Sequence, residues 1–85
     1  MGQGRNRGRS TKEREALLGL LRELRLEAGL RQGDLAKRLH RNQTFVSKYE
    51  LGERRLDLLD LREVCRALDV SLQQFVRRFE ARTRR

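Results

Sequence analysis

The 85-residue chain is one domain's worth of polypeptide; it carries 21 Lys and Arg against 12 Asp and Glu, a formal net charge of +9. Its one cysteine (Cys65) and one histidine (His40) exclude a disulfide scaffold, a Cys-rich zinc site, a metal-ligand cluster and a His-based catalytic triad. No apolar run is long enough for a membrane span or a signal-peptide core, so a cytoplasmic domain with a polyanionic partner is expected.

The charge is concentrated at the ends. Residues 1–14 hold five basic side chains and one acidic one, as do residues 77–85, whereas the intervening body is close to neutral. Such ends are either solvated tails or arms that track a phosphate backbone.

From residue 1 to 9 the chain is Gly, Gln, Asn and Arg, with nothing apolar after Met1, and reads as a flexible basic arm. Arg5, Arg7 and Arg9 on this segment are candidate contacts to a nucleic-acid backbone. Helical patterning begins at Ser10, where Ser10-x-x-Glu13 forms a capping-box signature. Leu17, Leu20, Leu21, Leu24 and Ala28 recur at spacings of three and four, which predicts one buried face. Gly29 is a natural stop, with Leu30 folding back on the last turn.

Four shorter helices follow. Leu35, Ala36 and Leu39 mark the second, from about Gln32 to Leu39. Asn42 is the expected N-cap of the third, in which Val46 and Tyr49 share a face and which Gly52 closes. Asp57 caps a fourth carrying Leu58, Leu61, Val64, Cys65 and Leu68; Ser71 caps a fifth carrying Leu72, Phe75, Val76 and Phe79. Nothing alternates with period two. The expected fold is therefore all-α: a compact bundle of about five short helices, with residues 1–9 as the arm, 10–79 as the domain and 80–85 as a basic tail.

The second and third helices hold the information. Helices joined by so short a turn cross steeply and touch closely, which demands a small residue such as Ala36 on one and apolar residues on the inner face of the other. The outward face of the third helix then presents Gln43, Thr44, Ser47 and Lys48, hydrogen-bonding side chains suited to base edges and phosphates in a major groove.

At this point the sequence resembles a known family. The ordered set Leu24-Arg25…Gly29-Leu30-Arg31-Gln32…Leu35-Ala36…Val46-Ser47-Lys48-Tyr49-Glu50-x-Gly52-Glu53-Arg54, continued by Ala67-Leu68-Asp69-Val70-Ser71-Leu72, is similar to the Cro/C1-type (XRE-like) helix-turn-helix. It covers roughly residues 14–76. The resemblance implies a lambda-repressor-like five-helix domain. It also implies a sequence-specific, repressor-like transcriptional regulator of bacterial or phage origin, associated with the nucleoid. Such a protein binds double-stranded DNA as a homodimer on a pseudo-palindromic operator, needs no cofactor and is not an enzyme.

By that resemblance, Gln43, Thr44, Ser47 and Lys48 read bases from a recognition helix spanning about residues 42–51. The resemblance assigns Gln32 to the DNA backbone and Arg25 and Glu50 to a partly buried ion pair; Arg41, Asn42, Arg54 and Arg55 are further candidate contacts to the backbone. Three residues depart from the family pattern: His40 where Gly is usual in a turn of positive φ, Arg41 where an apolar residue is common, and Leu51 where Asn often touches phosphate. Val76 and Phe79, beyond what the core needs, form a possible dimer interface. The alternative function is that of an antitoxin or adaptor whose main surface binds a protein partner.

Overall fold

The computed structural model describes the backbone of residues 3–84 and the side chains of residues 11–84. Five helices follow one another: α1 (Gln3–Glu27), α2 (Gln32–Leu39), α3 (Gln43–Glu50), α4 (Leu58–Ala67) and α5 (Leu72–Thr83), with no strand among the described residues.

Local chemistry explains most of the boundaries. Asp57 accepts a hydrogen bond from the Asp60 amide at 2.8 Å, and Ser71 accepts one from Gln74 at 3.0 Å. In both cases the third helical side chain reaches back to the cap amide, completing a capping box. The first four helices all end in the same way. At Gly29, His40, Gly52 and Asp69 the chain turns into left-handed backbone, with φ of 74°, 58°, 82° and 62°. The following amide then reaches back to the last turn, as in Leu30 N–H to Arg25 O at 3.1 Å and Arg41 N–H to Ala36 O at 2.9 Å. Two of these four positions are glycine. His40 and Asp69 adopt the conformation at some cost.

His40 therefore carries removable strain. The change His40→Gly is expected to raise the unfolding free energy by about 0.5–1 kcal/mol, the relief of left-handed strain being partly offset by the larger backbone entropy of unfolded glycine. A urea titration followed by circular dichroism measures it. A lower midpoint for the variant would mean that the imidazole makes a stabilising contact stronger than the strain it imposes.

Two boundaries differ from the sequence expectation. Helix α1 starts at Gln3 and not at Ser10, so the backbone of residues 3–9 continues the helix in place of a flexible arm. Arg5, Arg7 and Arg9 favour helix where Gly4, Asn6 and Gly8 oppose it, and lengthening an existing helix avoids the cost of nucleation. At the other end α5 runs to Thr83, so residues 80–83 are helix and not tail. Thr83 Oγ1 donates to the Phe79 carbonyl at 3.0 Å, and Phe79 packs against the core. Arg82 forms an ion pair with Glu23 of α1, and Arg78 reaches Glu27 at 3.5 Å. Part of the basic C-terminal charge is thus engaged with α1.

The core joins Leu20, Leu21 and Leu24 of α1 to Leu35 and Ala36 of α2, then to Phe45, Val46 and Tyr49 of α3, Val64 and Cys65 of α4, and Phe75 of α5. Ala28 and Leu58, expected inside, are exposed. Ala28 lies past the last helical residue of α1, and Leu58 is the first residue of α4, at the rim where the apolar layer ends. Cys65 is fully buried, and burial pushes its thiol up to about 11, which leaves it an apolar filler.

Candidate nucleic-acid interface

Helices α2 and α3 pack closely around Ala36, which is almost fully buried. The inner face of α3 is Phe45, Val46 and Tyr49, the rings of Phe45 and Tyr49 meeting edge to face at 5.5 Å. Burial, with the Glu50 charge adding to it, raises the Tyr49 phenol, so the group stays neutral inside the domain. On the outer face Gln43, Thr44 and Lys48 are exposed, while Ser47 is half-buried and donates to the Thr44 carbonyl at 3.3 Å. The four residues predicted to read bases share this face. Gln43 opens the helix above Gly33 of α2, where a Cβ would stand 3.4 Å from Gln43 Oε1.

An ion pair fixes the back of this unit. Arg25 donates to Glu50 through Nε at 2.7 Å and Nη2 at 3.0 Å, and through Nη1 to the Leu30 carbonyl at 2.9 Å. Both side chains are largely withdrawn from solvent, 7% and 5% exposed. The hydrogen bond to Glu50 outweighs desolvation and holds the Arg25 guanidinium above its ordinary value. Gln32 joins the pair, its Nε2 donating to Glu50 Oε1 at 3.0 Å. The first residue of α2 is thereby tied to the last residue of α3. One of the two Gln32 N–H donors is committed inward, which leaves the other for the backbone contact expected at this position.

The remaining predicted positions separate. Asn42 occupies the N-cap of α3 with extended backbone, φ −85° and ψ 165°, but its side chain makes no capping bond and stays exposed. Arg41 and Arg54 are exposed residues whose guanidiniums both lie over the Phe45 ring, 4.1 and 4.8 Å from its centroid. Arg41 also reaches Asp60 of α4 at 3.5 Å. Arg55 is exposed in the loop after α3. The side chains of Arg5, Arg7 and Arg9 lie outside the described residues. Of the pair suggested for a dimer interface, Val76 is 42% exposed, whereas Phe79 is half-buried against the core because α1 packs across α5 at that level.

Two contributors escape the sequence reading. Phe45 belongs to the core, and its spacing of four to Tyr49 is the signal that marks it. Arg14 donates to the Gly52 carbonyl at 3.3 Å, holding the loop after α3 against α1. Nothing local to Arg14 announces that contact.

Comparison with known proteins agrees with this arrangement. A family model described as helix-turn-helix matches residues 21–75. No curated protein gives a match. Among solved structures the chain is similar to an XRE-family like protein from Pseudomonas syringae pv. tomato str. DC3000, at 40% identity and a TM-score of 0.82, with 92% of this chain and 98% of that one covered. It is also similar to the clp gene regulator ClgR from Corynebacterium glutamicum. One structure of that protein gives 28% identity and a TM-score of 0.71 over 81% of this chain and 88% of that one. Another gives 27% identity and a TM-score of 0.73 over 84% and 76%.

Proposed function

Because the chain belongs to the Cro/C1-type helix-turn-helix family, whose members are DNA-binding transcription regulators, we propose that it is a sequence-specific regulator that lays α3 in the major groove of duplex DNA. The observation that carries this reading is the outer face of α3. Gln43, Thr44, Ser47 and Lys48 stand together on a helix whose other side is locked to α1 and α2 through Glu50. Short polar and amide side chains on a rigid helix are what direct readout of base edges requires. Arg41, Asn42, Arg54 and Arg55 flank that face and serve the phosphates.

A single module reads only a few base pairs, too few for useful discrimination in a genome, so the functional unit is a homodimer on a pseudo-palindromic site. Its two α3 helices then lie about 34 Å apart, one turn of duplex. Binding to genomic fragments and to random duplex, each over a series of salt concentrations, tests the proposal together with sedimentation of the complex. Selected fragments are expected to bind at least a thousandfold more tightly than random duplex, as a two-to-one complex. Equal affinity for all duplexes at every salt concentration would remove sequence readout and favour the adaptor reading. A monomer on one asymmetric half-site would remove the dimer.

A further inference from the structure

The flank of α3 holds an arrangement that the family resemblance does not explain. Arg41 comes from the turn between α2 and α3, and Arg54 from the loop that follows α3. Phe45 lies between these segments, 8% exposed, and both guanidiniums rest on its ring. An aromatic face attracts a cation through its quadrupole and offers a planar guanidinium a stacking surface. Asp60 holds Arg41 from the side of α4, its Oδ2 also bonding the Asp57 amide. Two like charges, 4.1 and 4.8 Å from one ring centroid, are thus held on an apolar support.

The space in front of them is an open cleft of about 560 Å3, lined by Arg41, Lys48 and Arg54 with His40, Thr44 and Phe45 among the other wall residues. None of the residues lining it is a carboxylate. Two ring-stacked guanidiniums and Lys48 around this concave space suit an oxyanion.

We propose that Phe45 is a positioning residue for backbone contact, its ring holding Arg41 and Arg54 in place as a phosphate clamp beside the recognition helix. The proposal rests on the DNA-binding reading given above. Long arginine side chains normally lose rotamer freedom on binding, and a clamp already ordered on the ring avoids that loss. Phe45 therefore strengthens binding without touching DNA, and without changing how many phosphates are neutralised.

That last point makes the clamp separable from both charge and core packing. The full chain carrying Phe45→Leu is expected to bind duplex DNA roughly fivefold to twentyfold more weakly, with the log–log salt slope unchanged. Arg41→Ala with Arg54→Ala should weaken binding too, but flatten the slope by about 0.9 for each phosphate no longer neutralised. In that double-Ala background Phe45→Leu should have no further effect, whereas Phe45→Tyr, which keeps the ring, should bind as the parent does. Arg41→Lys with Arg54→Lys leaves the core untouched; it should keep the slope and lose affinity, because an ammonium stacks poorly. In the free protein the Arg41 and Arg54 Nε–H resonances should carry a ring-current shift that Phe45→Leu abolishes.

Several results would overturn the clamp. Wild-type affinity in folded Phe45→Leu is one, an equal loss in the double-Ala background is another, and wild-type affinity in the double-Lys variant is a third. The absence of duplex binding by the parent chain is a different result, and it would overturn the DNA-binding reading itself.

Discussion

Replacing Glu50 by Ala is expected to destabilise the domain by about 3–5 kcal/mol, the cost of leaving a buried charge without its partner. The Arg25 guanidinium would keep only the Leu30 carbonyl, and the Gln32 amide would lose its inward acceptor. Neither group has easy access to water, since Arg25 is 6% exposed. A domain of this size holds roughly 5–10 kcal/mol in all, so the variant would sit near its unfolding midpoint at physiological temperature. Urea titrations monitored by circular dichroism give the loss directly. The double change Arg25→Met with Glu50→Leu removes both charges and should recover most of the stability, as apolar replacements of buried pairs commonly do. A loss below about 1 kcal/mol for Glu50→Ala would place the pair among ordinary surface salt bridges and contradict its burial.

Gln43→Ala carries the second large effect, and it falls on recognition. The side chain projects from the first turn of α3, exposed, with its amide oxygen above Gly33. Truncation is expected to weaken a selected site by about 1–3 kcal/mol through poorer base discrimination. Random duplex should be bound almost as before, because the substitution leaves every charge in place. Paired titrations of selected and random duplex at one salt concentration make the comparison. If both affinities fall together, Gln43 acts on the backbone or on the fold, and the assignment of readout positions on α3 moves.

Much of the fold is legible because its rules act within one helical turn. The spacing of Leu35, Ala36 and Leu39 predicts a helix over about Gln32 to Leu39, where α2 lies, and Asn42, Asp57 and Ser71 stand at the helix starts assigned to them. Gly29 and Gly52 close the helices before them, since left-handed backbone and the bonds that follow it involve only near neighbours, whereas the positive φ at His40 is what the family resemblance implies for that turn. The Arg25–Glu50 pair comes from the family resemblance, and no local pattern contains it. Asp69 takes the same left-handed turn as His40, yet Asp there also reads as an ordinary loop residue.

By itself, then, the sequence determined the number of helices, most of their ends, and which face of α3 is polar, all consequences of backbone sterics and 3.6-residue periodicity. What depends on distant segments meeting was decided only in the folded chain. Gln32 turned inward because Glu50 offers an acceptor once α2 crosses α3. The basic end of α5 became part of the bundle because Glu23 and Glu27 of α1 lie alongside Arg78 and Arg82. Arg41 and Arg54, which the chain presents as two independent surface charges, converge on one aromatic ring that neither neighbours in sequence. Propensity and spacing do not specify such meetings, because the Gln32 and Arg82 contacts depend on the crossing of helices and the two ring contacts on the path of the chain on either side of α3.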